Sequence, residues 1–193
     1  IGDTPQPEDF ADYTGPIKIA DGSTVHAYAV KGDHRSGTTS ATFGVLTTGW
    51  KVTGCSEPNA ENKRSRVQLA FDGNQGTIWS TAGEGKDPQL PAWVSVDFGA
   101  DVEVEAFTYL PRQKWKATDA AQEYRFELSS DGENWKVVAE GEFSNILNNP
   151  VEQIIELDSP VTARHLRFTA LSVVHSTEKR FGAAEIGVRG KAK

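Results

Sequence analysis

Asp72-Gly73-Asn74 followed by Thr77 places a carboxylate, an amide and a hydroxyl in one tight turn. A hard cation such as calcium takes six to eight oxygens at about 2.3–2.6 Å, drawn from carboxylates, amides and backbone carbonyls, and a loop of this kind supplies them. The same residues also make an ordinary Asp-Gly turn that needs no metal. An EF-hand is excluded, because the twelfth position counted from Asp72 is Gly83, where a bidentate glutamate is required.

Catalytic constellations are missing. A glycosidase needs two carboxyls about 5 to 9.5 Å apart across a cleft, and no spacing among the Asp and Glu residues nominates such a pair. Asp97-Phe98-Gly99 copies a kinase metal-binding triplet, but no glycine-rich phosphate loop or His-Arg-Asp accompanies it, and its place at a strand end before a turn explains it. There is no Gly-x-Ser-x-Gly elbow and no His-Glu-x-x-His, and His26, His34, His165 and His175 lie in separate segments. The expectation is a chain that is not an enzyme.

Net charge −7 and a pI near 5.1 argue against nucleic acid, whose phosphates need clustered Lys and Arg, and against an anionic membrane. The lone Cys55 has no partner for an internal disulfide, and there is no C-x-x-C pair. The sequence contains no Met, which reads as a fragment of a longer chain with any export signal upstream. At 193 residues it is long enough for one sandwich and a smaller piece.

The elements that must position these groups read as strands. Apolar residues alternate with period two in Thr24–Val30, Trp93–Phe98, Val102–Phe107, Tyr124–Leu128 and Arg164–Thr169. Asp21-Gly22, Asp72-Gly73, Asp131-Gly132 and Asn148-Asn149-Pro150 punctuate them as turns, and no capped amphipathic helix is visible. Antiparallel sandwich patterning of this kind predicts an all-β fold. Trp79, Trp93 and Trp135 lie in or beside strand patterns and are expected in the core. A boundary is expected at Thr47–Thr48, dividing a small β unit, 1–47, from a β-sandwich, 48–193.

The stretch Leu69-Ala70-Phe71-Asp72-Gly73-Asn74-Gln75-Gly76-Thr77-Ile78-Trp79 resembles the signature of coagulation factor V/VIII type C (discoidin-like) domains and family 32 carbohydrate-binding modules. Pro91-Ala92-Trp93-Val94-Ser95-Val96-Asp97-Phe98-Gly99, Phe107-Thr108-Tyr109-Leu110-Pro111-Arg112-Gln113, Ser129-Ser130-Asp131-Gly132-Glu133-Asn134-Trp135 and Phe181-Gly182-Ala183-Ala184-Glu185-Ile186 follow in the family's order. The resemblance implies a galactose-binding-like jelly-roll β-sandwich. Residues 13–45 resemble the end of the small Ig-like domain at the C-terminus of chitobiases and hexosaminidases, making 1–47 a partial Ig-like domain. The combination resembles the tail of bacterial family 29 α-L-fucosidases, and similar tails occur on hexosaminidases.

What the resemblance implies about sites is specific. A structural calcium ion would be held by Leu69, Asp72, Asn74, Thr77, Ala184 and Glu185. Sugar would be met by Arg112, after the Tyr-x-Pro strand, and by Phe181, in the loop before Ala-Glu-Ile. The sequence departs from the galactose-binding pattern at Ser80 and Gly83, where such modules often carry His and Trp. Trp115 offers a replacement platform, as does His175 with Glu178, Lys179 and Arg180. The bland alternatives are Phe181 as a core plug and Arg112 as half of a buried ion pair.

The leading expectation is therefore a non-catalytic module that targets a tethered glycoside hydrolase to terminal galactose, fucose or N-acetylhexosamine. Its setting would be secreted, periplasmic or on the bacterial cell surface. A second reading is a structural accessory packing on the catalytic domain without binding sugar. A third, protein or phospholipid adhesion, is opposed by the acidic balance.

Overall fold

The computed structural model describes residues 10–19, 23–56, 63–81, 90–114, 116–175 and 180–193. The strands are β1 (Thr24–Ala27), β2 (Val30–Lys31), β3 (His34–Arg35), β4 (Thr39–Thr42), β5 (Lys51–Cys55), β6 (Trp79–Ser80), β7 (Ala92–Leu110), β8 (Glu123–Ser129), β9 (Lys136–Glu142), β10 (Gln153–Ala170), β11 (Gly182–Ala183) and β12 (Glu185–Ala192). A 3₁₀ turn, Val67–Phe71, carries the only helical geometry among the described residues. No helix among them is long and apolar enough to cross a membrane.

Two long strands make the sandwich. The first part of β7 pairs with the end of β10 (Ala92↔Ala170 to Asp97↔His165) and with β5. Its second part pairs with the start of β10 (Val102↔Ala163 to Tyr109↔Gln153) and with β12. Adding β8 and β9 outside β10 gives a five-stranded layer (β5, β7, β10, β8, β9) facing a three-stranded one (β12, β7, β10). The transition falls at Asp97-Phe98-Gly99. Gly99 takes φ +87°, a conformation suited to glycine, and its N–H donates to the Asp97 carboxylate at 2.8 Å. Register shifts in β10 between Glu156 and Val161 and between Ala163 and His165 accompany the passage.

Alternation decides which side chains meet between the layers. Val94, Val96, Leu166, Phe168, Phe126 and Leu128 face inward from the five-stranded layer, and Phe107 and Tyr109 come from the other. Phe107 stacks on Phe126 with ring centroids 4.4 Å apart, and Tyr109 on Phe168 at 5.5 Å. Of the three tryptophans expected in the core, Trp79 is there, fully buried. Trp93 is not: it precedes the inward Val94, so period two turns it to the outer face. Trp135, in the turn before β9, joins it there, and the guanidinium of Arg167 lies against both rings.

In the N-terminal segment β1 pairs with β4, and β2 with β3 around Gly32. The last strand of this segment, β4, ends at Thr42. Beyond it the Val45 N–H donates to the Val188 carbonyl at 3.1 Å, bringing this segment to the edge of β12. Gly44 must lack a side chain there, because a Cβ would sit 2.7 Å from the Val188 carbonyl oxygen.

The Arg164 guanidinium donates to Asp97 at 2.9 and 3.2 Å across the layer transition. That hydrogen bond is the main cause holding the Asp97 carboxyl down from 3.8 to about 2. A depressed carboxyl stabilises the fold above its unfolded pKa and loses that contribution as pH falls through the folded value. Asp97→Asn should therefore lower Tm by a few degrees at neutral pH. In thermal melts the gap between wild type and variant should close as pH drops from about 4 to about 2.

Candidate functional site

One end of the sandwich gathers the loops after β7, before β8, after β10 and around β6 and β11. Tyr109 organises it. Its buried hydroxyl donates to the Gly182 carbonyl at 2.8 Å and accepts from the Ala121 N–H at 3.0 Å. Burial drives this phenol far above its ordinary pKa of 10, so it remains a donor at every working pH. The Gly182 N–H donates to the Asp119 carbonyl at 2.8 Å, and the Val174 N–H to the Ala120 carbonyl at 3.0 Å.

Arg112 stands just past the end of β7. Its Nε donates to both Asp119 carboxylate oxygens at 3.2 Å, and Nη2 to one of them at 2.5 Å. The Asp119 side chain is 2% exposed and that of Arg112 is 17% exposed. A carboxylate so buried is tolerated because it is paired and hydrogen-bonded. In return the fork of Arg112 is held in one orientation by three hydrogen bonds to that carboxylate. Asp119 belongs to no recognised motif, so the sequence reading missed it. The one available signal was an acid seven residues after a rim arginine.

The other expected sugar contacts fare differently. Phe181 is a correction: its ring is 0% exposed, packed edge-on against Trp79 at 5.2 Å and tilted on Phe168 at 5.5 Å. Thr81 bonds both its N–H and its carbonyl, so the backbone turns the ring inward, where it plugs the core and cannot meet a sugar. His175 is exposed on the segment tied to Ala120 through Val174, and so lies at the same end as Arg112. Ser80 is buried, paired with Gly182 across β6 and β11. Trp115, Gly83, Glu178 and Lys179 lie outside the described residues.

The oxygen-rich turn follows the 3₁₀ turn that contains Leu69. Gly73 takes φ +71°, and the Asn74 N–H donates to Asp72 Oδ1 at 2.9 Å. The Thr77 hydroxyl lies 3.0 Å from both Asp72 oxygens and 2.7 Å from the Asn74 carbonyl. Asn74 Oδ1 accepts from the Gly76 N–H at 3.0 Å. Glu185, opening β12 after Ala184, brings a second carboxyl to this loop. Burial, then the charge of Asp72, pushes Glu185 up from 4.5 to about 7, against the pull of the Gly73 and Asn74 N–H groups. Its Oε1 is buried and makes no hydrogen bond.

Two carboxyls pressed together, one with an orphaned oxygen, suit a cation between them. No cluster of three or more His, Cys, Asp or Glu side chains occurs among the described residues. A metal here would thus take most of its oxygens from carbonyls, the Asn74 amide and the Thr77 hydroxyl, a donor set fitted to calcium.

The F5/8 type C domain family matches residues 51–186. No curated protein matches the chain. A family 32 carbohydrate-binding module of a family 31 glycoside hydrolase from Clostridium perfringens is 29% identical, TM-score 0.67, over 76% of this chain and 94% of that one. A Clostridium perfringens family 32 module solved with GalNAc-β-1,3-galactose is 26% identical, TM-score 0.63, over 74% of this chain and 96% of that one. The C-terminal domain of a Bacteroides fragilis chitobiase shares the fold at 24% identity, TM-score 0.66, covering 77% of this chain and 98% of that one.

The packing that fixes Arg112 has a direct test in Gly182. A Cβ at this position would lie 2.5 Å from Asp119 Oδ2. Gly182→Ala should destabilise by about 1–3 kcal/mol through overpacking. A denaturant melt reads that loss, and the variant's side-chain NMR signals from Arg112 should broaden as Asp119 is displaced.

Proposed function

The chain belongs to the F5/8 type C domain family, and we propose that it works as a non-catalytic carbohydrate-binding module holding a tethered glycoside hydrolase on its substrate. The observation that carries this reading is Arg112, whose guanidinium is locked by the buried Asp119 at the loop end of the sandwich. A preorganised fork of N–H donors suits vicinal sugar hydroxyls, because little rotamer freedom is lost when they bind. The relatives support the class of ligand, one having been solved with a galactoside.

In this reading Trp115, between Arg112 and Asp119 in the sequence, is the candidate ring to stack on the pyranose face, and His175 is a further candidate contact. Terminal galactose, fucose and N-acetylhexosamine are the sugars proposed. The parent proposed is a secreted bacterial α-L-fucosidase or hexosaminidase, joined through a partial Ig-like unit at 1–47. Weak affinity suffices, since tethering raises the effective concentration of enzyme at the glycan. A structural calcium at Leu69, Asp72, Asn74, Thr77, Ala184 and Glu185 would supply charge neutralisation there, and the orphaned Glu185 oxygen supports it.

The burial of Phe181 favours a second reading, a scaffold that packs on the catalytic domain without meeting sugar. Deleting the module separates the two. Loss confined to polymeric glycans belongs to targeting, and loss of stability on soluble substrates belongs to the scaffold.

Titration calorimetry with galactosides, fucosides and N-acetylhexosamines should give millimolar binding to at least one. Arg112→Lys and Asp119→Asn should each weaken it at least about tenfold, roughly 1.4 kcal/mol. Absence of binding by all three classes at millimolar concentration, with calcium present, would remove the targeting reading. Separately, a chelator should lower Tm by several degrees and added calcium should restore it. Glu185→Gln should melt at the same temperature with and without calcium.

A further inference from the structure

The outer face of the five-stranded layer holds a cation, Arg167, that no ion pair neutralises among the described residues. The Arg167 guanidinium carbon lies 4.0 Å from the Trp135 ring centroid and 5.2 Å from that of Trp93. The indole contacts meet the guanidinium through its charge and leave its in-plane N–H groups to find other acceptors. Nε is buried without a hydrogen-bond partner. Glu127 is the cross-strand neighbour in register, yet no ion pair joins the two among the described residues. The other arginines of this face are already committed, Arg125 to Glu140 and Arg164 to Asp97.

We propose that this face is a second binding site, centred on Arg167, for a glycan bearing an oxyanion: the carboxylate of an acidic sugar or a sulfate ester. The guanidinium edge matches two oxygens of such a group in a bidentate pair. Trp93 and Trp135 flank that edge and offer apolar walls to the C–H faces of a pyranose, which a bare anion or an extended acidic peptide would leave unused. Beneath the arginine the layer is closed by Ser95, 4% exposed and hydrogen-bonded to Thr53 at 3.0 Å, so a ligand approaches only from outside. His165, on the same face of β10, packs edge-on to Trp135 and fixes its wall. The site lies on the sheet face, apart from the Arg112 rim, and does not depend on the reading of that rim.

NMR titration of the ¹⁵N-labelled chain reads it directly. Trigalacturonate, a sulfated disaccharide, lactose, inorganic sulfate and a poly-glutamate peptide are the probes. At least one acidic sugar should shift the Arg167 Nε–H and the Trp93 and Trp135 indole N–H signals saturably, and about 0.5 M salt should suppress the effect. Which of the two acidic sugars saturates assigns carboxylate or sulfate. Arg167→Lys keeps the charge but loses the planar fork, and should weaken binding about tenfold. If that variant does not fold, the three wild-type signals decide alone. Silence of all three signals with both acidic sugars overturns the proposal. So does an equal response to inorganic sulfate, meaning an adventitious ion only, to lactose, or to poly-glutamate.

Discussion

The buried hydroxyl of Tyr109 is the point on which the loop end depends. It sits at the close of a long strand that belongs to both layers, and it ties the segment before β8 to the segment before β12 with one donated and one accepted hydrogen bond. A phenol in this position contributes twice. Its ring fills the space between Phe143, Phe168 and Phe181, and its oxygen satisfies two backbone groups that no strand ladder reaches. Everything at the rim inherits its position from that junction, including the carbonyl of Asp119 that receives the Gly182 N–H.

Much of this was legible in the residues. Period-two alternation marked the strands that became β1, β7, β8 and β10, because burial on one face demands it. The distant stretches around Asp72 and Glu185 do come together, as the order of motifs implied. The failures have physical reasons as well. The resemblance implies a sugar-facing ring at Phe181, whereas the backbone bonds to Thr81 turn it inward, the core-plug alternative. For Trp93 and Trp135, a place in or beside a strand pattern does not decide which face of the strand a side chain takes. Alternation was the better guide, since the residue next to an inward valine must face out. Asp119 leaves no signature because its burial is set by Arg112 across a loop, and a seven-residue loop spacing carries no strand or helix period.

Charge is handled differently on each surface of the sandwich. At the rim, Asp119 and Arg112 neutralise one another under near-complete burial, which fixes geometry at the expense of desolvating both. On the sheet face, pairs such as Arg125 with Glu140 are half exposed and contribute little to stability. At the turn after the 3₁₀ segment the fold places two acids together and leaves one oxygen unpaired, an arrangement costly by itself. The Asp72 carboxylate stays exposed while Glu185 is partly withdrawn from solvent beside it, so the cost falls mainly on Glu185.

The pairing of β12 with β7, and of Glu185 with the Asp72 loop, also has a bearing on how the chain is made. On the ribosome, β7 emerges well before the strand that flanks its second half. Until β12 arrives, the layer that carries Phe107 and Tyr109 lacks one edge and the Asp72 loop lacks Glu185. Contacts so far apart in sequence close slowly, because the loop entropy is lost before the contacts form. Closure of the sandwich therefore waits on its last strand, and the apolar faces of β7 and β10 stay exposed to other chains until it docks.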